Sequence, residues 1–94
     1  MAKFDFYSDP AHGWVKVKLS TLKELGLENK ISSYSYVKDG YAYLEEDSDA
    51  SKFVAAMKEK GETVELREHI SDKSSKIRSY EPYSNSRKKL GEVS

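Results

Sequence analysis

The sequence predicts an α+β domain: a small, mostly antiparallel sheet running about β-β-α-β-β-α-β, with a main helix at about 49–60 on one face. Three observations carry this. Asp39-Gly40 separates two alternating runs within ISSYSYVKDGYAYLEED, and a type I′ turn needs positive φ at both central residues. Residues 14–19, WVKVKL, alternate in the same way. Ala50, Phe53, Val54 and Met57 recur at i, i+3, i+4 and i+7, one stripe of a helix.

Taken in order, residues 3–7 alternate as a short strand, and Ser8-Asp9-Pro10 breaks it because Asp and Ser initiate turns and proline fixes φ. The 14–19 strand puts Val15, Val17 and Leu19 on one face and Trp14, Lys16 and Lys18 on the other. Thr21 and Glu24 have capping-box spacing, so a helix is expected to start near residue 20 and to stop at Gly26, docked by Leu22, Leu25 and Leu27. A hairpin over 31–45 pairs Lys38 with Tyr41, Val37 with Ala42, Tyr36 with Tyr43 and Tyr34 with Glu45. This places Tyr34, Tyr36, Tyr41 and Tyr43 together, and Ser33, Ser35, Val37, Ala42 and Leu44 on the opposite face. Asp47, Ser48 and Asp49 offer N-caps for the main helix, Gly61 ends it, and Phe53 and Val54 are its expected buried residues. A last strand, 63–70, sets Val64, Leu66 and Ile70 against Thr63, Glu65, Arg67 and His69.

After Ile70 the composition turns polar and basic. Residues 1–83 form the single domain, 72–83 pack as an irregular arm or edge strand, and 84–94 form a disordered basic tail. Ile77, Tyr80, Tyr83 and Leu90 are the only apolar anchors available there.

Composition narrows the function classes. Ninety-four residues make one domain with a modest core. The formal net charge is zero, which argues against a general nucleic-acid or membrane binder but permits a local basic patch. With no cysteine there is no disulfide or thiolate metal site, and the two histidines, His12 and His69, lack ligand spacing, so neither metal nor cofactor is expected. No signal-peptide run and no membrane-length apolar stretch are present, so a cytoplasmic chain is expected.

Four features bear on recognition. Tyrosine supplies rigid contact area and a hydroxyl, so the four-tyrosine face is either a binding surface or a half-core. The arm gathers Lys73, Lys76, Arg78, Arg87, Lys88 and Lys89 beside Tyr80 and Tyr83, a donor set suited to phosphate. The acidic run Glu45–Asp49 charges a helix start, and it also has the sign to answer the arm, within one molecule or in a symmetric dimer. Asp9-Pro10-Ala11-His12-Gly13-Trp14 reads as a structural turn with a tryptophan anchor. Nucleophile-elbow and phosphate-loop glycine patterns are missing.

Asp9–Trp14, Ile31–Tyr36, Ala42–Asp47 and Ser75–Arg78 together resemble small proteins carried by phages, plasmids and other bacterial mobile elements. The resemblance spans about residues 4–83. It implies a non-enzymatic accessory factor that counters host defence by binding a host protein or sequestering a nucleotide-type ligand in the host cytoplasm. The residues expected to carry binding are Tyr34, Tyr36, Tyr41, Tyr43, His12, Trp14, Lys76, Arg78 and Tyr80. The alternative is a sequence-independent nucleic-acid binder that uses the basic 73–89 arm and the tyrosines. A small enzyme of unknown type is the third reading.

Overall fold

The turn and stop signals act where the sequence places them. In the computed structural model, which describes residues 2–73 and 75–83, Asp39 and Gly40 both have positive φ (53° and 85°), as a type I′ turn requires. Strands β1 (Ala2–Ser8) and β2 (Gly13–Lys18) precede helix α1 (Leu19–Glu24). Strands β3 (Tyr36–Lys38) and β4 (Tyr41–Glu45), helix α2 (Asp49–Glu59) and strand β5 (Val64–Ile70) follow. The expected seven-element pattern is thus present, and the arm adds a 3-10 turn at Lys76–Ser79 and a two-residue strand, β6 (Glu81–Pro82). The 84–94 segment, including Arg87, Lys88, Lys89 and Leu90, lies outside the described residues.

All six strands share one sheet in the order β5-β1-β2-β4-β3-β6. Only β1–β5 is parallel; the other four pairs are antiparallel. The parallel pair arises because α2 carries the chain from β4 across the sheet to the far edge, a crossover that returns β5 in the direction of β4.

Both helices end as Schellman motifs. Leu27 N–H donates to the Leu22 carbonyl and Gly26 N–H to Lys23, with Gly26 at φ +71°. Glu62 and Gly61 repeat the pattern on Met57 and Lys58. Their starts depart from expectation. α1 opens at Leu19 directly out of β2, so Thr21 already lies inside the helix and the Thr21/Glu24 capping box does not form. Ser48 caps α2 without a side-chain hydrogen bond, and Asp49 turns instead to the 32–35 loop.

The core lies between the sheet and the helices: Val15, Val17, Ala42 and Leu44 from the strands, Phe53 and Met57 from α2, and Leu22, Leu27 and Ile31 from α1 and the loop after it. Phe4 meets Phe53 edge-to-face at 4.9 Å between ring centres. Gly13 fits here because a Cβ would collide with the Phe6 ring. One expectation about this face is corrected. Val54 is 38% exposed, because Ala50, Phe53 and Met57 fill the inward stripe. Leu66 and Ile70 are exposed as well, because β5 is the edge strand and α2 covers the sheet's centre.

Candidate binding cleft

The opposite face of the sheet is a second, smaller cluster. Trp14, Tyr43 and Ile77 are buried in it, with Tyr7, Tyr36, Tyr41 and Tyr80 packed around them. Strand register places Trp14 with the tyrosines, on the side it shares with Lys16 and Lys18. It does not show that the arm lies over them: Tyr80 packs on Tyr43 at 5.1 Å between ring centres, and Ile77 is 3% exposed. The tyrosine face is therefore largely covered. Burial, followed by the nearby Tyr80 and Tyr7 hydroxyls, pushes the Tyr43 phenol up to about 12.

One carboxylate holds the arm in place. Asp9 Oδ1 accepts from the backbone N–H groups of Ala11 (3.0 Å) and His12 (2.9 Å), which closes the Asp9-Pro10 turn. Its Oδ2 accepts from Ser75 N–H (2.9 Å) and Arg78 Nε (2.7 Å), while Arg78 Nη2 reaches Oδ1 at 3.1 Å. The Asp9 side chain is fully buried. Hydrogen bonds from Arg78 and then Ser75 hold its carboxyl far below the usual carboxylate range, and Asp9 in turn raises the Arg78 guanidinium. Arg78 lies 5.8 Å over the Trp14 ring. Within the described residues, Arg78 is thus answered by Asp9 and not by the acidic run. At the arm's far end β6 pairs with β3, and Tyr83 anchors the chain through its backbone N–H on the Ser35 carbonyl (2.6 Å) and its hydroxyl on the Glu28 carbonyl.

A second buried carboxylate shapes the neighbouring loop. Asp49 accepts from Ser32 N–H and Oγ, Ser35 Oγ (2.5 Å) and Lys52 Nζ (3.1 Å). Burial pushes this carboxyl up, and the hydrogen bonds from Ser35, Ser32 and Lys52 outweigh it, leaving it below its ordinary value. Ser35 Oγ also accepts from Glu45 N–H. These bonds take residues 32–35 out of the sheet, so β3 begins only at Tyr36. The expected Tyr34–Glu45 pairing does not form: the β3–β4 ladder starts at Tyr36–Tyr43, and Tyr34 sits in a turn, 73% exposed.

Between these two anchor points lies a cleft of about 370 Å³, walled by His12 and Trp14, by Ser33, Tyr34 and Tyr36, by Glu45, Asp47 and Ser48, and by Arg78. That volume suits a small ligand or a side-chain anchor. Glu45 is nearly buried and shared: Oε2 faces His12 Nδ1 at 3.6 Å, and Oε1 accepts from Asp47 N–H and Ser48 Oγ. The Asp47 carboxylate has no partner among the described residues. Trp14 Nε1–H is buried and has no acceptor among the described residues.

Of the expected site residues, His12, Trp14, Tyr34, Tyr36 and Arg78 meet at this cleft. Tyr43 and Tyr80 lie beneath and within the arm, while Tyr41 and Lys76 lie away from the cleft lining. Asp9, Glu45 and Asp47 are the additions. Glu45 and Asp47 read in sequence as helix-start charges or as a counterpart to the basic arm, and the usable signal for Asp9 is a turn-forming carboxylate. No metal-holding cluster occurs among the described residues, and no helix among them is long and apolar enough to cross a membrane. Comparisons with protein-family models, curated proteins and solved structures return no match.

Proposed function

We propose that the chain is a non-enzymatic binding protein that engages a polypeptide partner through this cleft, and that it serves a mobile element by occupying a host defence protein. The carrying observation is the charge arrangement. Both basic side chains at the cleft already face carboxylates, His12 Nδ1 opposite Glu45 at 3.6 Å and Arg78 on Asp9, whereas the Asp47 carboxylate has no partner among the described residues. A nucleotide's phosphate would therefore meet uncompensated negative charge. A polypeptide segment suits the site better: a basic side chain toward Asp47 and aromatic contact with Tyr34 and Tyr36.

The order of the polar groups supports a non-catalytic role. The Glu45 carboxylate stands between the His12 imidazole and the Ser48 hydroxyl. In a nucleophilic triad the imidazole stands between the other two, so that it can take the hydroxyl proton. The mobile-element setting rests on resemblance, and each of the four segments that carry it contributes a wall of the cleft.

Fluorescence polarisation with short labelled peptides tests the reading. Peptides combining arginine with an aromatic residue are expected to bind. Tyr34→Ala and Asp47→Lys, both at exposed positions, should each weaken them about tenfold or more. Unchanged affinity in both variants, or tighter binding of ATP that is lost in Arg78→Ala, would overturn the choice of partner. In cells, the same two variants should lose whatever protection the wild-type chain gives a phage or plasmid. A wild-type chain that gives none removes the defence setting and leaves the cleft reading standing.

A further inference from the structure

The arm covers only part of the tyrosine face. We propose that the uncovered part, formed by Lys3, Lys16, Lys18, Lys38 and Tyr41, binds single-stranded nucleic acid. Strand register puts these residues on one side of the sheet. Lys16 lies opposite Tyr43, and Lys18 and Lys38 lie opposite Tyr41 from its two sides. Lys3 shares the side of Asp5, which lies opposite Lys16. Four adjacent strands, β1, β2, β4 and β3, therefore each present lysine or tyrosine to the same surface. The surface spans three strand spacings, about 14 Å.

Charge selects the occupant. None of the four lysines has an ion-pair partner among the described residues. Lys3, Lys18 and Lys38 are exposed and Lys16 half-buried. Of the carboxylates on this side, Glu45 is engaged at the cleft by His12 and the Asp47 N–H, and Asp5 is held by His69 and Arg67 at 3.0 and 2.8 Å, which leaves Glu65 beside Lys3 and Asp39 in the turn. Two of the ammonium groups rest on aromatic rings, Lys16 Nζ 4.3 Å above Tyr41 and Lys38 Nζ 5.1 Å above Tyr80. A phosphate offers each lysine a charged acceptor in place of the ring, and the freed Tyr41 face can take an unpaired base. Duplex presents phosphates without free base faces, so it satisfies only half of this surface. The surface differs from the basic 73–89 arm and shares no residue with the cleft.

The experiment is anisotropy of a labelled oligo(dT) with the full chain, titrated over a salt series. Saturable binding should weaken with salt at a log–log slope of about −3, as four neutralised phosphates on a single strand imply. Lys16→Glu with Lys38→Glu should lower affinity about tenfold or more, and so should Lys18→Glu with Lys3→Glu, which alters only exposed side chains. Tyr41→Ala should cost about fivefold or more and leave the salt slope unchanged. Circular dichroism confirms that each variant is folded. Three outcomes overturn the proposal: lysine variants that bind like wild type; loss of binding in a Lys73/Lys76 or an Arg87/Lys88/Lys89 alanine variant instead; or inorganic polyphosphate competing as well as oligo(dT), which would make the surface a polyanion contact without base stacking.

Discussion

The two faces of the sheet are built on different physics. The helix face is closed by apolar side chains from three directions, and Phe53, Leu22 and Leu44 are fully buried there. Its stability comes mainly from area removed from water, and its acid-sensitive part is confined to the Asp49 carboxylate at the start of α2. The arm face is closed by nine described residues, 75–83, that add one fully apolar anchor, Ile77, and are held by the Asp9–Arg78 pair and a two-residue strand. The first face carries the fold. The second carries orientation: it fixes where Arg78, Trp14 and Tyr36 stand at the cleft, and it is the part that conditions can open.

The largest effect should come from breaking the first face. Phe53→Ala removes a fully buried ring that packs on Phe4 of β1, and it should cost about 3–5 kcal/mol in chemical denaturation. For a domain this small that is a large share of total stability. A midpoint equal to wild type would show that this face does not carry the fold.

A smaller and more local effect is expected from Ile77→Ala. It should cost about 2 kcal/mol, the low end for a buried isoleucine, because the arm can lift and admit water where a sealed core cannot. Native-state hydrogen exchange should show faster exchange confined to 75–83 and β3. Uniform acceleration through α2 and β2 would mean that the two faces unfold as one unit.

That division was only half legible in the sequence. Period-two alternation sorts residues onto faces, so the Tyr36–Tyr43 register, the parity of Trp14 and the Asp39-Gly40 turn all followed from it. Gly26 and Gly61 marked both helix ends, because φ there is a local matter. Exposure is not local. What covers the tyrosines depends on Arg78 meeting a carboxylate 69 positions earlier, and no periodicity encodes that meeting. Tyr34 was misplaced because Ser32 and Ser35 spend their hydroxyls on Asp49 rather than continuing a strand. The cleft was legible in its residues, His12, Trp14, Tyr34, Tyr36 and Arg78, but not as a cavity, because its acidic wall looked like an ordinary helix start.

The smallest effect is the most specific to the second face, and it appears on acidification. The Asp9 carboxyl has a depressed pKa in the folded chain, so its pairing contributes in full above the ordinary carboxylate value of about 4. That contribution is lost progressively as pH falls below this value, since the unfolded or released arm then binds the proton more tightly. Protonation frees both Arg78 and the Ser75 N–H, and Trp14, buried at neutral pH beneath the guanidinium, becomes hydrated. Tryptophan emission should therefore shift to the red below about pH 4, before helical circular dichroism is lost, because Asp9 makes no contact with the helix-face core. Asp9→Asn keeps an amide oxygen for the turn but carries no charge for Arg78. Its emission should already be partly shifted at neutral pH and should change little on acidification. A wild-type transition in which emission and helix signal move together, or an Asp9→Asn titration that matches wild type, would assign the acid response to the whole fold and remove Asp9 as the latch of the arm.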